Sequence, residues 1–217
     1  MKISKDVYAL LESLKAYSIE TYKHSIAVSK LCTSFGKYLG LSNEELDNLR
    51  IAGLLHDIGK LLIPLEILHK PSALTKDEFN ILKKHPLFSA KLLIQAGFND
   101  EDVLSIIISH HEKLNGLGYP YGINDSSISN LARILSICDS YDAMKSKRSY
   151  KDAKSIEYIK EEFISNAGKQ FDYYYVNMFL DYLNEIDNKK SFYLSNNLLV
   201  SSMWNNRFLV SKIIVIF

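Results

Sequence analysis

The chain has 217 residues, of which 47% are hydrophobic and 24% charged, and its formal net charge is +1. That length suits one domain with a sizeable core. The composition excludes a disordered chain or a strongly basic binder of DNA or RNA, so recognition of any anionic ligand has to be local.

Cys32 and Cys138 are the only cysteines, too few for a disulfide framework or a thiolate metal site, and they fit a reducing cytoplasm. The N-terminus lacks the apolar stretch of a secretory signal, and no apolar run approaches the roughly 20 residues of a membrane span.

Apolar residues recur at helical spacing and strand alternation is scarce, so the expected class is all-α. Helices are expected near 3–16, 19–39, 43–58, 75–84, 86–96, 100–112, 127–146, 152–165 and 170–186. In the second, Glu20 and His24 stand four apart on one face, either as a surface pair or as ligands of a cation. The third opens on a capping box, Ser42 with Glu45, and carries Leu46, Leu49, Leu54 and Leu55 to its end at His56-Asp57. Gly59 and Lys60 follow, so this is either a capped helix end or a pair of polar groups whose apolar setting calls for a divalent cation. His69, in Leu68-His69-Lys70-Pro71, reads as structural.

A second capping box, Thr75 with Glu78, starts the next helix, and His85-Pro86 follows between two helices, where an imidazole faces either a pocket or solvent. The helix through Val103, Leu104 and Ile107 ends in His110-His111-Glu112. Adjacent helical residues diverge by about 100°, so a histidine doublet suits a cluster of ions better than a single one. The segment Asn115-Gly116-Leu117-Gly118-Tyr119-Pro120-Tyr121-Gly122 is a shaped loop. Asp139 and Asp142 then share one helix face, with Cys138 turned away into the core. Lys145, Lys147, Arg148, Lys151 and Lys154 form either a solvated helix end or, beside a carboxylate-rich metal site, a contact for an anionic substrate. The 187–217 tail turns Asn/Ser/Lys-rich before an apolar end and has no assigned structure; it is a docked terminus, a dimer contact or a membrane-surface anchor.

In order, His24, His56-Asp57-x-Gly59-Lys60, His85-Pro86, His110-His111-Glu112, Gly116-x-Gly118-Tyr119-Pro120 and Asp139-x-x-Tyr141-Asp142 closely resemble the HD-GYP family. The resemblance runs from about 14 to 185, within an expected catalytic domain over 1–186. It implies a single helical HD-domain bundle holding two or three divalent ions, iron or manganese, and hydrolysis of cyclic di-GMP to pGpG or GMP. Metal ligation is implied for His24, His56, Asp57, His85, His110, His111 and Asp139, with Glu20 as the extra carboxylate of a third ion. Lys60 stands at the cluster edge, and Asp142, Arg148, Lys151 and Tyr119 are placed with the substrate. Asn115 departs from the family's usual Asp before the loop glycine, which keeps turn chemistry and removes a charge.

The expected mechanism is in-line attack on phosphorus by a hydroxide shared between two ions that Asp57 bridges. Lys60 would offset charge on the phosphoryl oxygens. Implied partners are a cyclic dinucleotide, a diguanylate cyclase or other upstream signalling protein, and a second copy in a homodimer, with no DNA or RNA polymer. The competing readings are an HD-type phosphohydrolase for another cyclic dinucleotide or nucleotide, and a catalytically silent cyclic di-GMP receptor.

Overall fold

In the computed structural model, residues 3–146 and 153–188 are described. The sequence calls on Arg148, Lys151 and nearly all of the 187–217 tail lie outside them. The chain divides into two compact units, Met1–Met178 and Phe179–Phe217. The second is helical over its described residues, 179–188, where Phe179 and Tyr182 put their rings 5.9 Å apart.

The first unit is built from α1 (Lys5–Tyr17), α2 (Ile19–Tyr38), α3 (Asn43–Leu55), α4 (Leu65–Leu68), α5 (Lys76–Leu82), α6 (His85–Gln95), α7 (Glu101–Ser109), α8 (Asn130–Lys145) and α9 (Ile156–Asn166). Short 3-10 turns cover Ile58–Leu62 and Asp125–Ser127, and residues 173–178 are helical. Among the described residues the only β-type pairing is an isolated bridge between Ala167 and Phe171.

Polar caps set the helix starts. Ser4, Ser18, Ser42, Thr75, Asp100, Ser129 and Ser155 each accept a backbone N–H of the first turn, which satisfies donors a helix leaves free. Both expected capping boxes form reciprocally.

The apolar stripes bury α2 against α1, α3 and α8, while α7 packs on α3, α6 and α8. Val28, Phe35, Leu49, Ile51, Leu55, Ile107, Ile134 and Leu135 are fully buried at the centre of this bundle. α2 carries Glu20 and His24 and α8 carries Asp139, while His56 and Asp57 directly follow α3, His85 opens α6, and His110 and His111 directly follow α7.

The third expected helix ends earlier than its apolar pattern suggests. α3 stops at Leu55 and the chain tightens into the 3-10 turn at Ile58–Leu62, followed by the short α4, neither of which was read from the sequence. Gly59 explains the tightening. A Cβ there would sit 2.1 Å from the His85 carbonyl oxygen and 2.4 Å from the Ser89 nitrogen, so only glycine lets the turn meet α6. Ser89 fastens the contact by accepting the Gly59 N–H at 2.8 Å and donating its hydroxyl to the His56 carbonyl at 2.6 Å.

Candidate metal centre

The helix ends converge on one buried polar cluster. His56 and Asp57 follow α3, His85 opens α6, His110 and His111 follow α7, His24 comes from the second turn of α2 and Asp139 from α8. Three overlapping groups bring their ligand-capable atoms within 4.8 Å of one another: His24 with His56 and Asp57, His56 with His110 and Asp139, and His85 with His110 and His111. All seven residues implied by the HD-GYP resemblance through its main motif are therefore brought together.

Local hydrogen bonds aim the rings. His56, His85 and His110 each donate Nδ1–H to the carbonyl three residues back, of Gly53, Leu82 and Ile107, at 2.9, 2.9 and 2.6 Å. A carbonyl can only accept, so Nδ1 carries a proton and Nε2 is the atom that points inward. On His24 the fixing partner is a carboxylate, Asp142 Oδ2, 2.6 Å from Nδ1, while Nε2 faces Asp139 Oδ1 at 2.8 Å and Asp57 Oδ2 at 3.7 Å. Asp142 thus holds His24, in addition to any part it plays toward substrate.

The interior of this cluster is electrostatically incomplete. Among the described residues, five buried side-chain polar atoms lack a hydrogen-bond partner, and four of them are His56 Nε2, His85 Nε2, His110 Nε2 and Asp57 Oδ1. His85 Nε2 lies 3.4 Å from Asp57 Oδ1, and His56 Nε2 lies 3.4 Å from Asp57 Oδ2. Buried polar atoms crowded together without hydrogen-bond partners cost free energy, and divalent cations are the groups that satisfy them all at once.

Burial pushes the His85 imidazole down to about 3 and His110 down to about 4, and holds His111 well below the ordinary range, so these rings are neutral and ready to ligate. Burial opposes charge on His56 too, but the Asp57 and Asp139 carboxylates outweigh it and raise that ring to about 10. Without a metal, a proton on His56 supplies the positive charge the carboxylates demand. Burial would raise Asp57 and Asp139, yet the histidines around both, and Lys60 beside Asp57, keep them well below the usual carboxylate range. Lys60 Nζ is 2.7 Å from Asp57 Oδ2.

Glu20 belongs to none of the three ligand groups. It lines a neighbouring cavity of about 410 Å3 with Lys60, His69, Lys70 and apolar side chains. His69, read as structural, sits at the C-terminal end of α4 on that cavity's wall.

Glu112 is the functional residue whose part the sequence hid. Its buried carboxylate accepts the backbone N–H groups of Tyr121, Gly122 and Ile123 at 2.7, 3.1 and 3.1 Å, which pins the loop after α7. Gly118 crosses the Glu112 backbone so closely that a Cβ would lie 2.5 Å from its Cα. Asn115 Oδ1 accepts the Leu117 N–H at 3.1 Å, the local turn that Asp would also make. Tyr119 comes to rest on His111, ring centroids 4.7 Å apart, with its phenol kept neutral by burial.

A family model described as an HD domain matches residues 8–173. The chain belongs to the HD domain family. Within it, the HD-GYP resemblance holds: the chain is 40% identical over 141 residues to a cyclic di-GMP phosphodiesterase of Pseudomonas aeruginosa, covering 65% of this chain and 34% of that one. It is also 36% identical over 180 residues to a 3'3'-cGAMP-specific phosphodiesterase of Vibrio cholerae, covering 82% of this chain and 34% of that one. The chain therefore spans about a third of the length of these curated relatives. A solved HDG"Y"P protein from Bdellovibrio bacteriovorus shares the HD-domain fold at a TM-score of 0.62 and 23% identity, covering 74% of this chain and 51% of that one.

Proposed function

We propose that residues 1–186 form a phosphodiesterase domain that hydrolyses cyclic di-GMP to linear pGpG, with GMP as a further product. The observation that carries this reading is the set of buried polar atoms, Nε2 of His56, His85 and His110 with Asp57 Oδ1, turned into one space without hydrogen-bond partners. We assign His24, His56, Asp57, His85, His110, His111 and Asp139 as ligands of two divalent ions, with Glu20 facing a third from the adjoining cavity. Iron or manganese suits imidazole and carboxylate donors of this kind. Bound there, such ions supply Lewis acidity that activates water near neutral pH and offset negative charge on the phosphoryl group.

The chain's own residues do the rest. Asp57 lies between two ligand groups, with Oδ1 toward His85 and Oδ2 toward His56 and His24, and so spans the cluster. Lys60, tied to Asp57, places a fixed positive charge at the cluster edge, where an incoming phosphodiester is held and its growing charge stabilised. As the HD-GYP resemblance implies, Arg148, Lys151 and Asp142 contact the cyclic dinucleotide, and the planar two-pronged donor set of Arg148 suits a phosphate. The buried, unpaired thiols of Cys32 and Cys138 support a cytoplasmic setting, and among the described residues no helix is long and apolar enough to cross a membrane.

The test is direct. Metal-loaded protein is incubated with cyclic di-GMP and the products are separated by chromatography; pGpG should accumulate, and Asp57→Ala should abolish turnover while helical content is kept. Unchanged turnover in that variant removes Asp57 from its bridging position. The Vibrio cholerae relative motivates one further reading, a preference for 3'3'-cGAMP. Competition between the two cyclic dinucleotides decides it.

A further inference from the structure

Four of the five clustered histidines have the ring nitrogen that faces away from the cluster fixed by a hydrogen bond. His56, His85 and His110 use a backbone carbonyl, and His24 uses Asp142. His111 is built differently. Its nearest carboxylate contact is Asp139 Oδ2, 4.0 Å from Nδ1, beyond hydrogen-bond distance, and its side chain is 26% exposed, the most open of the five. Neighbouring rings hold it instead: His110 at 4.0 Å, tilted by 40°, Tyr119 at 4.7 Å, tilted by 33°, and His85 edge-on at 5.0 Å. The same tyrosine meets His85 edge-on at 6.3 Å.

The position of Tyr119 is itself determined by the residue next to His111. The Tyr119 N–H donates to the His111 carbonyl at 3.2 Å, and the chain beyond is gripped by the three amides on the Glu112 carboxylate. A carboxylate buried to 3% exposure is costly unless its lone pairs are filled, and here three backbone donors fill them. Glu112 therefore has its bonding committed to the loop and is no metal ligand. Gly118 permits the close crossing that brings the loop back over the end of α7.

We infer that Glu112 and Tyr119 are positioning residues: Glu112 clamps the loop, and the Tyr119 ring face fixes the rotamer of His111 for metal ligation. The inference rests on the metal centre proposed above. On this reading the aromatic face of Tyr119 matters and its hydroxyl does not. Residues that orient ligands from behind typically change metal affinity by roughly tenfold to a hundredfold when removed.

The experiment compares Tyr119→Phe, Tyr119→Leu and Glu112→Gln with the unsubstituted full chain. Manganese affinity and ions bound per chain are measured by equilibrium dialysis and elemental analysis, with circular dichroism to confirm helical content. Tyr119→Phe keeps the ring and should hold manganese within about twofold of the unsubstituted chain. Tyr119→Leu keeps apolar volume without a face and should lose roughly tenfold or more in the weaker-bound ion. Glu112→Gln, which presents an amide N–H to at least one loop donor, should lose affinity in the same direction. Equal losses in Phe and Leu would assign the role to the hydroxyl, and no loss in Leu would end the inference. If the unsubstituted chain itself binds no manganese, the proposed metal centre fails rather than the clamp.

Discussion

Asp142 shows how a single side chain can act at one remove. Its carboxylate takes the Nδ1–H of His24 at 2.6 Å, which turns Nε2 toward Asp139 and Asp57. Removing that partner frees the ring, so Asp142→Ala should weaken metal binding by roughly tenfold to a hundredfold, and Asp142→Asn, whose amide oxygen still accepts, should recover much of it. Titration calorimetry with manganese distinguishes the two. The clustered histidines were legible in the sequence because five of six fall beside carboxylates, each other or helix ends. The division of labour was not legible. Glu112 adjoins His110 and His111 in the chain and so looks like part of the same set, but the direction of a side chain at a helix end is decided by the loop that returns to it. Only the three amides on its carboxylate reveal its part.

Protonation gives a second prediction at this scale, for chain stripped of metal. His85 and His110 stay neutral down to about 3 and 4, whereas their unfolded values lie near 6.5, so below pH 6.5 the unfolded chain binds protons the folded chain refuses. Their stabilising contribution is present above 6.5 and lost as pH falls. His56 has the opposite sign: raised to about 10, it contributes fully below 6.5 and loses that contribution as pH climbs toward 10. Thermal melts in chelator should therefore give a Tm that peaks near neutrality and falls on both sides. A Tm that rises steadily from about pH 5 to 9 would contradict the assignment of these charges.

At the scale of elements, the junction between the turn at Ile58–Leu62 and α6 carries the greatest constraint. A methyl group on Gly59 would overlap the backbone of His85 and Ser89, neither of which can yield as a side-chain tip would. Gly59→Ala should destabilise the fold by about 3 kcal/mol or more, as overpacking against backbone does, and displace His85 from the cluster. Chemical denaturation and metal content together measure both effects. Core truncation away from the site should differ: Phe163→Ala, in α9 and fully buried, should cost about 3–5 kcal/mol in stability and leave metal stoichiometry intact. The sequence located most helices because caps and apolar periodicity agree, as at Ser42 with Glu45 and Thr75 with Glu78. It missed the turn and α4 because Ile58, Leu61, Leu62 and Leu65 continue an apolar pattern, while the break is imposed by a tertiary contact with α6 that no local preference encodes.

At the scale of the molecule, five separate stretches of chain deliver ligand-capable atoms to one buried space, and the bundle of α2, α3, α7 and α8 is what fixes their mutual distances. The HD-domain fold was legible because the spacing of the motifs is itself a record of that arrangement. The proposed contact of the basic stretch with substrate rests on charge pattern and family resemblance alone, since Arg148 and Lys151 lie outside the described residues.

The central claim is that neighbouring divalent ions sit among these donors. An anomalous-scattering map from crystals of manganese-loaded protein tests it most directly. Two or three peaks are expected, with the Nε2 atoms of His56, His85 and His110 and the Asp57 carboxylate at bonding distance from them. A map with no peak in that space, or with one ion that leaves those nitrogens unbound, would contradict it.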